Sequence, residues 1–399
     1  MDYPDIIRPT LLLRPEIAKR NIRRMADKAE KAGVEFRPHF KSHQSLTIGH
    51  WFQQAGVKKI TVSSLNMAAY FASAGWEDIT IAVPVNIREI PRISKLAARV
   101  KLNIIVDSPR TVTIIGLNDE LENPVHVWVE ADCGDNRTGI PMKKKGDFVH
   151  MIQTIDRTPN MEFAGIITHA GHSYKYMKVP DAQAMYADIQ AQISELKAHF
   201  STWSELKDRT IKFSFGDTPL CTLLDEFPEV DEIRPGNFVF YDIMQHTFGV
   251  CDINDIAVAM ACPVISTPSP RKFTVHGGSV HFSKEFLPTD LKRRLVSEGK
   301  NFGWQVSPTE KGWHPYKNNH LYRLSQEHGE VYSASSNFGD KTEGEIAFFL
   351  PIHSCVTADL MMRYYIWEDG NLGEEITMMK TEPGYANGFF PLDAKDNPY

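Results

Sequence analysis

The sequence predicts a (β/α)8 barrel of the TIM type joined to a smaller, mainly β C-terminal domain, an α/β architecture overall. Eight short β-branched runs occupy the first two-thirds of the chain, with longer helical stretches between them. That alternation builds parallel sheets. No G-x-G-x-x-G follows an early run, which disfavours the rival doubly wound open sheet. After about residue 250 the texture changes to strands without long amphipathic helices between them.

The runs read in order as 34–41 (VEFRPHFK), 58–64 (KKITVSS), 78–85 (DITIAVPV) and 102–108 (LNIIVDS), then 124–132 (PVHVWVEAD), 162–170 (EFAGIITHA), 211–217 (IKFSFGD) and 233–242 (IRPGNFVFYD). Before the first lies PEIAKRNIRRMADKAEKAG, with Ala18, Ile22, Met25, Ala26 and Ala29 on one helical face and Gly33 as its stop. LNMAAYFASAG ends the same way at Gly75, and the stretch 181–200 follows Pro180, a good helix opener. These place the barrel at 20–250 and the β domain at 251–399 together with 1–19. In the β domain, IAVAMACPVIST, RKFTVHGG, GEVYSAS and EIAFFLPI read as strands. The polar, aromatic stretch from Thr289 to Tyr322 reads as an insertion or long loop.

Composition bounds the function. The 399 residues carry a net charge of −6 and are 42% hydrophobic, ordinary for a globular chain. Mild acidity argues against nucleic acid as a partner, since that demands a basic face. No apolar run approaches the roughly 18–20 residues of a membrane span. The N-terminal MDYPDIIRPT does not read as a secretory signal. The cysteines, Cys133, Cys221, Cys251, Cys262 and Cys355, form no C-x-x-C pair and are odd in number. A reducing, cytoplasmic setting is therefore the expectation.

Active sites of such barrels gather at the C-terminal ends of the strands. The first run ends RPHFKSH, which supplies His39, Lys41 and His43. Lysine is strongly hydrated, and one delivered by an apolar strand is either a surface residue or an amine with a task; desolvation would suit it to attack a carbonyl. The fifth run ends VEADCGDNRTG, which is an ordinary turn unless Arg137 points back over the barrel mouth. The sixth ends THAGHSY, where His169, His172 and Tyr174 lie within six residues. A flat imidazole there can stack on a ring, although a lone histidine is more often structural. The seventh ends SFGDTP and the eighth begins IRPGNFVFYD. Their glycines, backbone N–H groups and threonine hydroxyl make a phosphate cup at the position where barrels commonly place one.

One further pair lies in PIHSCVTADL. His353 and Cys355 are two apart, which on a strand puts both side chains on one face. Imidazole plus thiolate is a zinc-type donor set. A buried cysteine beside a hydrogen-bonded histidine is the commoner meaning of an isolated H-x-C.

Taken together, RPHFKSH, VEADCGDNRTG, THAGHSY, FGDTP, EIRPGNFVFYD, LSQEHG and PIHSC resemble the fold-type III pyridoxal-phosphate enzymes, which share their barrel with alanine racemase. Within them the chain is most similar to the D-threonine aldolase and D-serine dehydratase group. The motifs span residues 37 to 355, nearly the whole chain. The resemblance implies that Lys41 holds the cofactor covalently, with His39 and His43 beside it. It implies that His169 packs on the pyridine ring and that Gly216, Asp217, Thr218, Gly236 and Asn237 cradle the phosphate. Arg137 and Arg234 are implied for the ring's oxygen or nitrogen, in either assignment; Tyr174 is implied to approach the phosphate or substrate, and Tyr241 to contact the cofactor. His353 and Cys355 are implied to hold a divalent metal, zinc by preference, with manganese or magnesium as alternatives. A homodimer is implied as well. Members of the group often carry an acid-Ala-Gly segment early in the β domain, where this chain reads TVHGGSVHFSKEF with His276 and His281.

The function implied is a lyase acting on a β-hydroxy D-amino acid. Cys355 leans toward a dehydratase giving a 2-oxo acid and ammonia, because the group's aldolases usually place aspartate there and thiolate suits zinc. An aldolase giving glycine and an aldehyde is the first alternative. An amino-acid racemase has no need of the metal pair. A non-catalytic pyridoxal-phosphate-binding protein would ordinarily lack the second domain.

Overall fold

The computed structural model describes residues 3–288, 299–333, 341–382, 384–385 and 390. The chain divides into two compact units. One comprises Arg24–Lys41, Gly49–Gly236 and Glu382–Tyr399; the other comprises Met1–Arg23, Ser42–Ile48 and Asn237–Thr381.

The first unit is the barrel. Its eight strands are Glu35–Phe36, Lys59–Val62, Asp78–Pro84, Lys101–Val106, Val125–Asp132, Met161–His169, Phe213–Gly216 and Glu232–Ile233. From the second to the eighth each pairs in parallel with the next, and the eighth pairs with the first. A parallel bridge from His39 to Thr61 closes the ring between the first strand and the second. Parallel neighbours need long crossovers, and helices such as Leu65–Ser73, Lys145–Asp156 and Val179–Phe200 supply them. Ser64 caps the first of these by accepting the Met67 N–H at 3.1 Å. Ile60, Val62, Ile79, Leu102, Ile104, Val127, Val129, Ile166, Phe213 and Phe215 are buried, as strands covered on both faces require.

A polar layer crosses this apolar interior. Arg37 donates to Asp78 at 2.6 Å and to Glu232 at 2.7 Å. Asn103 donates to Asp78 at 2.9 Å and accepts from Trp128 Nε1 at 3.1 Å. Ser214 donates to the other oxygen of Glu232 at 2.5 Å. Every charge in this layer has a partner of opposite sign, which is the condition for burying it.

The second unit is built on antiparallel strands. Val258–Ser269, Lys272–His276, His328–Ser333, Trp313–Leu324, Gly303–Pro308 and Ile346–Pro351 pair in sequence, and the last returns to the first, closing a six-stranded ring. Thr10–Leu13 pairs with Val258–Ser269 on its other side, followed by Arg363–Glu368 and Asn371–Thr377. The N-terminal strand is thus part of this sheet. Arg14, just after it, donates to the carbonyls of Thr309 and Glu310 at 2.9 Å and Gly312 at 2.5 Å, and sits over the Trp313 ring.

Three expectations from the sequence change here. The run 233–242 is strand only to Ile233; Pro235 and Gly236 stop the ladder, and Asn237–Val239 is a 3-10 turn. The stretch 289–322 is not simply an insertion. Residues 289–298 lie outside the described residues, but Gly303–Pro308 and Trp313–Leu324 are strands of the closed ring. Their aromatic and amide residues concealed the alternation. His353 and Cys355 are not on a strand, because Ile346–Pro351 ends before them and the helix Ser354–Met361 begins. Among the described residues, no helix is long and apolar enough to cross a membrane.

Candidate active site

In the barrel unit, the candidate residues stand at or just beyond the C-terminal ends of parallel strands, which is one end of the barrel. His39 and Lys41 follow Glu35–Phe36, and Arg137 follows Val125–Asp132. His169 ends Met161–His169, Gly216 ends Phe213–Gly216, and Arg234 follows Glu232–Ile233. Lys41 is exposed in the 3-10 turn Phe40–Ser42, where its backbone N–H donates to His39 Nδ1 at 3.3 Å.

His169 is fixed by its Nδ1, which lies 2.5 Å from the Gly216 carbonyl. A carbonyl only accepts, so Nδ1 carries the proton, and Nε2 and the ring face are left for other use. Burial pushes the pKa of His169 down to about 3, with the charges of Arg137, Lys41 and Arg234 acting the same way. The ring is neutral at physiological pH. Tyr174 lies beside it, ring centroids 6.4 Å apart.

Arg234 is buried, donating to Ser214 Oγ at 2.5 Å and to the Thr168 carbonyl at 2.8 Å. Burial pulls its pKa down to about 10, so it keeps its charge. Gly216 is needed beside it, because a Cβ there would stand 3.1 Å from the guanidinium. Thr218 accepts the Gly236 N–H at 3.3 Å, which joins the two turns of the expected phosphate cup. Asp217 faces elsewhere. One of its oxygens accepts the N–H groups of Leu220 and Cys221 at 3.0 and 3.2 Å, and burial pushes its pKa up to about 7. Arg137 is exposed, with its guanidinium 4.0 Å from Asp135.

The second unit holds the H-x-C pair. His353 is the N-cap residue of Ser354–Met361, and Cys355 lies in its first turn. Their side chains are hydrogen-bonded to each other. Cys355 Sγ also lies 3.3 Å from the Ser42 hydroxyl and accepts from Asn237 Nδ2 at 3.2 Å. Asn237 and Ser354 are in turn held by Asp242, at 2.8 Å from the Asn237 amide and 3.1 Å from the Ser354 N–H. Asp242 itself caps the helix Ile243–Thr247 by accepting the Gln245 N–H at 2.9 Å. Glu285 accepts from His353 Nδ1 at 2.6 Å. Burial opposes the charged form of His353, but Cys355 and Glu285 outweigh it and push the pKa up to about 11. Burial would raise the Cys355 thiol, but the hydrogen bond and charge of His353 bring it below its ordinary value. The imidazole thus favours ionisation of the thiol and the thiol favours protonation of the ring, with the two side chains already hydrogen-bonded. A divalent ion replaces the ring proton in such a site.

His43 is fully buried, its Nδ1 accepting the Ser45 N–H at 3.2 Å, and burial pushes its pKa down to about 3. Tyr241 is buried in a turn at φ 46°, its N–H on the Asn237 carbonyl at 2.7 Å. Asp242, Ser42 and Glu285 escaped sequence reasoning. Ser42 and Asp242 lie within RPHFKSH and EIRPGNFVFYD, and Glu285 within TVHGGSVHFSKEF, but nothing in those segments marks them out from their neighbours.

His276, His281 and Glu327 bring their potential ligand atoms within 4.8 Å of one another. His281 Nδ1 accepts the Gly278 N–H at 3.1 Å, so its proton sits on Nε2, 3.8 Å from Glu327. A ring protonated there cannot ligate through that nitrogen. The cluster reads as a polar clamp on the turn Ser325–Glu327.

The residues present fit the two groups that the sequence resemblance implies. Lys41 is exposed at the barrel end, where His169 is fixed through Gly216. His353 and Cys355 offer a borderline-soft donor pair with a carboxylate on the far ring nitrogen.

Comparison with known proteins agrees. A D-serine dehydratase of Dictyostelium discoideum is 28% identical over 93% of this chain and 95% of its own length. A D-threo-3-hydroxyaspartate dehydratase of Delftia sp. HT23 is 28% identical over 88% of this chain and 91% of its own. The solved structure of that enzyme superposes with a TM-score of 0.84, at 25% identity, over 95% of this chain and 99% of that one. It has also been solved with a cysteine-to-alanine substitution in a metal-free form, and with a histidine-to-alanine substitution two residues earlier. That is the spacing of His353 and Cys355. The serine dehydratase domain model matches residues 257–367. The alanine racemase N-terminal domain model matches residues 16–243, more than half of the sequence, and the chain belongs to that family.

Proposed function

We propose that this chain is a pyridoxal-phosphate- and metal-dependent lyase that converts a β-hydroxy D-amino acid into a 2-oxo acid and ammonia. The preformed His353–Cys355 pair carries the reading, since a racemase has no use for it and a thiolate favours zinc over the harder ions. The names of the two full-length relatives, both dehydratases, support the same choice.

Lys41 holds the cofactor through its Nζ. His169 packs on the ring and Tyr174 approaches from its side, while Thr218, its oxygen held by the Gly236 N–H, presents its hydroxyl proton to the phosphate, with Gly216 leaving room. Arg234 keeps a positive charge beside the ring, and Arg137 guards the open side. Bound pyridoxal phosphate supplies an electron sink for Cα. Lys41 Nζ, once released, is the base that takes the Cα proton. His353 and Cys355 would hold the metal, zinc by preference, which would supply Lewis acidity at the substrate's β-hydroxyl. Asn237 and Ser42 hold the Cys355 sulfur in place. Ser42 is bonded directly to Lys41, so one short segment serves cofactor and metal ligand alike.

All five cysteines are free thiols, which supports a cytoplasmic setting, and the group resemblance supports a homodimer. The test is incubation with D-serine, D-threonine and 3-hydroxy-D-aspartate. A 2-oxo acid with stoichiometric ammonia is expected from at least one. Glycine and an aldehyde would make the chain an aldolase instead.

A further inference from the structure

Glu285 lies outside every motif that carries the resemblance, yet its carboxylate meets His353 Nδ1 at 2.6 Å. Its place is built. The helix Ser279–Phe282 ends at Ser283, whose φ of 74° turns the chain sharply. The Ser283 hydroxyl then accepts the Glu285 N–H at 3.1 Å. On one side this segment is tied to the hairpin turn, with the Ser279 N–H on the Ser325 carbonyl at 2.8 Å. On the other, Thr357 of the ligand helix donates to the Phe282 carbonyl at 3.4 Å. Glu285 therefore faces His353 because the backbone delivers it there.

We infer that Glu285 is the positioning residue for the metal-binding imidazole. By accepting from Nδ1 it keeps a proton on that nitrogen and turns Nε2 toward the Cys355 sulfur, the side on which a metal ion would replace the other ring proton. A carboxylate on the far nitrogen also makes the ring a stronger donor. Glu285 acts through His353, its carboxylate engaged on the far ring nitrogen. The inference rests on the reading of His353 and Cys355 as metal ligands.

The test compares zinc affinity, by chelator competition, in the cofactor-loaded wild type, Glu285→Ala, Glu285→Gln and Glu285→Asp. The cobalt-substituted proteins report the thiolate-to-metal absorption band. Glu285→Ala is expected to bind zinc about 10–100-fold more weakly. Its cobalt band should shift while the melting temperature of the metal-free protein stays put. Glu285→Gln, which can still accept from Nδ1, should recover part of the affinity, and Glu285→Asp should fall between. If Glu285→Ala binds zinc as tightly as the wild type with an unchanged cobalt band, the inference is wrong. Equal loss in Ala and Gln, tracking a fall in melting temperature, would reduce Glu285 to a structural role and also overturn it. Should the wild type bind no stoichiometric metal, and His353→Ala and Cys355→Ala change nothing, the metal reading itself fails and takes this inference with it.

Discussion

Asp217 is a buried carboxyl that the barrel prefers protonated. Burial pushes its pKa up to about 7, against about 3.9 in an unfolded chain. A raised folded-state pKa means that its contribution to stability is full below about pH 4 and is lost as pH rises through about 7. The cofactor-free Asp217→Asn protein should therefore gain stability on the wild type between pH 5 and pH 8. Urea titrations at the two pH values check this. Parallel stability curves would show that the carboxyl is not protonated in the fold. Asparagine can still accept the Leu220 and Cys221 N–H groups, so the cap survives the change. At this scale the sequence disclosed residues with unusual chemistry near strand ends, such as Lys41, His169 and Cys355. It did not disclose their supports. Asp242 is an ordinary aspartate in sequence, and only the fold reveals that it holds Asn237 and Ser354 together. Glu285 is 68 residues from the histidine it meets, and no local pattern links them.

Met161–His169 shows how an element is tuned to deliver a side chain. Gly165 sits at φ 152° opposite an irregularity in the pairing with Val125–Asp132. A Cβ there would lie 2.5 Å from the Lys212 carbonyl oxygen and 2.7 Å from the Trp128 ring. Both are fixed by neighbouring strands, so Gly165→Ala should destabilise the barrel by about 3 kcal/mol. Displacement of His169 should accompany it, seen as weaker cofactor binding. Unchanged denaturation midpoints would mean that the strand has slack that the packing denies. Long elements with a clear period, such as Val179–Phe200, were legible in sequence. Two-residue strands such as Glu35–Phe36 and Glu232–Ile233 were found only as parts of longer runs, because pairing, not pattern, ends them. The strands Gly303–Pro308 and Trp313–Leu324 were missed because buried amides such as Gln305 and Asn319 pair with each other, at 3.0 Å, where apolar residues were expected. The start of the helix Ser354–Met361 was missed because PIHSC overlaps the end of the apolar strand Ile346–Pro351 and carries no helix-period pattern of its own.

Across the molecule, the barrel's closure depends on charge as well as on apolar packing. Arg37 bridges Asp78 and Glu232 from three different strand segments, and all three are largely buried. Arg37→Met leaves Glu232 without its cation and Asp78 with only Lys101 at 3.7 Å, and the barrel should lose about 3–5 kcal/mol. Chemical denaturation measures this, and a loss below 1 kcal/mol would mean that water reaches the layer. Fold class was legible at this scale because eight alternations leave few alternatives once helices must return each strand in parallel. The closed six-stranded ring of the second unit was not, since its order depends on pairings between distant segments, such as Met260 with Phe349.

The account's central claim is that Lys41 carries pyridoxal phosphate in a site that acts on β-hydroxy D-amino acids. The absorbance spectrum of the reconstituted protein, before and after D-serine or 3-hydroxy-D-aspartate, tests it most directly. A visible band that shifts with the D-substrate, is indifferent to the L-enantiomer and is missing in Lys41→Ala is the predicted result. A protein that shows no such band after reconstitution, or a band that Lys41→Ala retains, would contradict it.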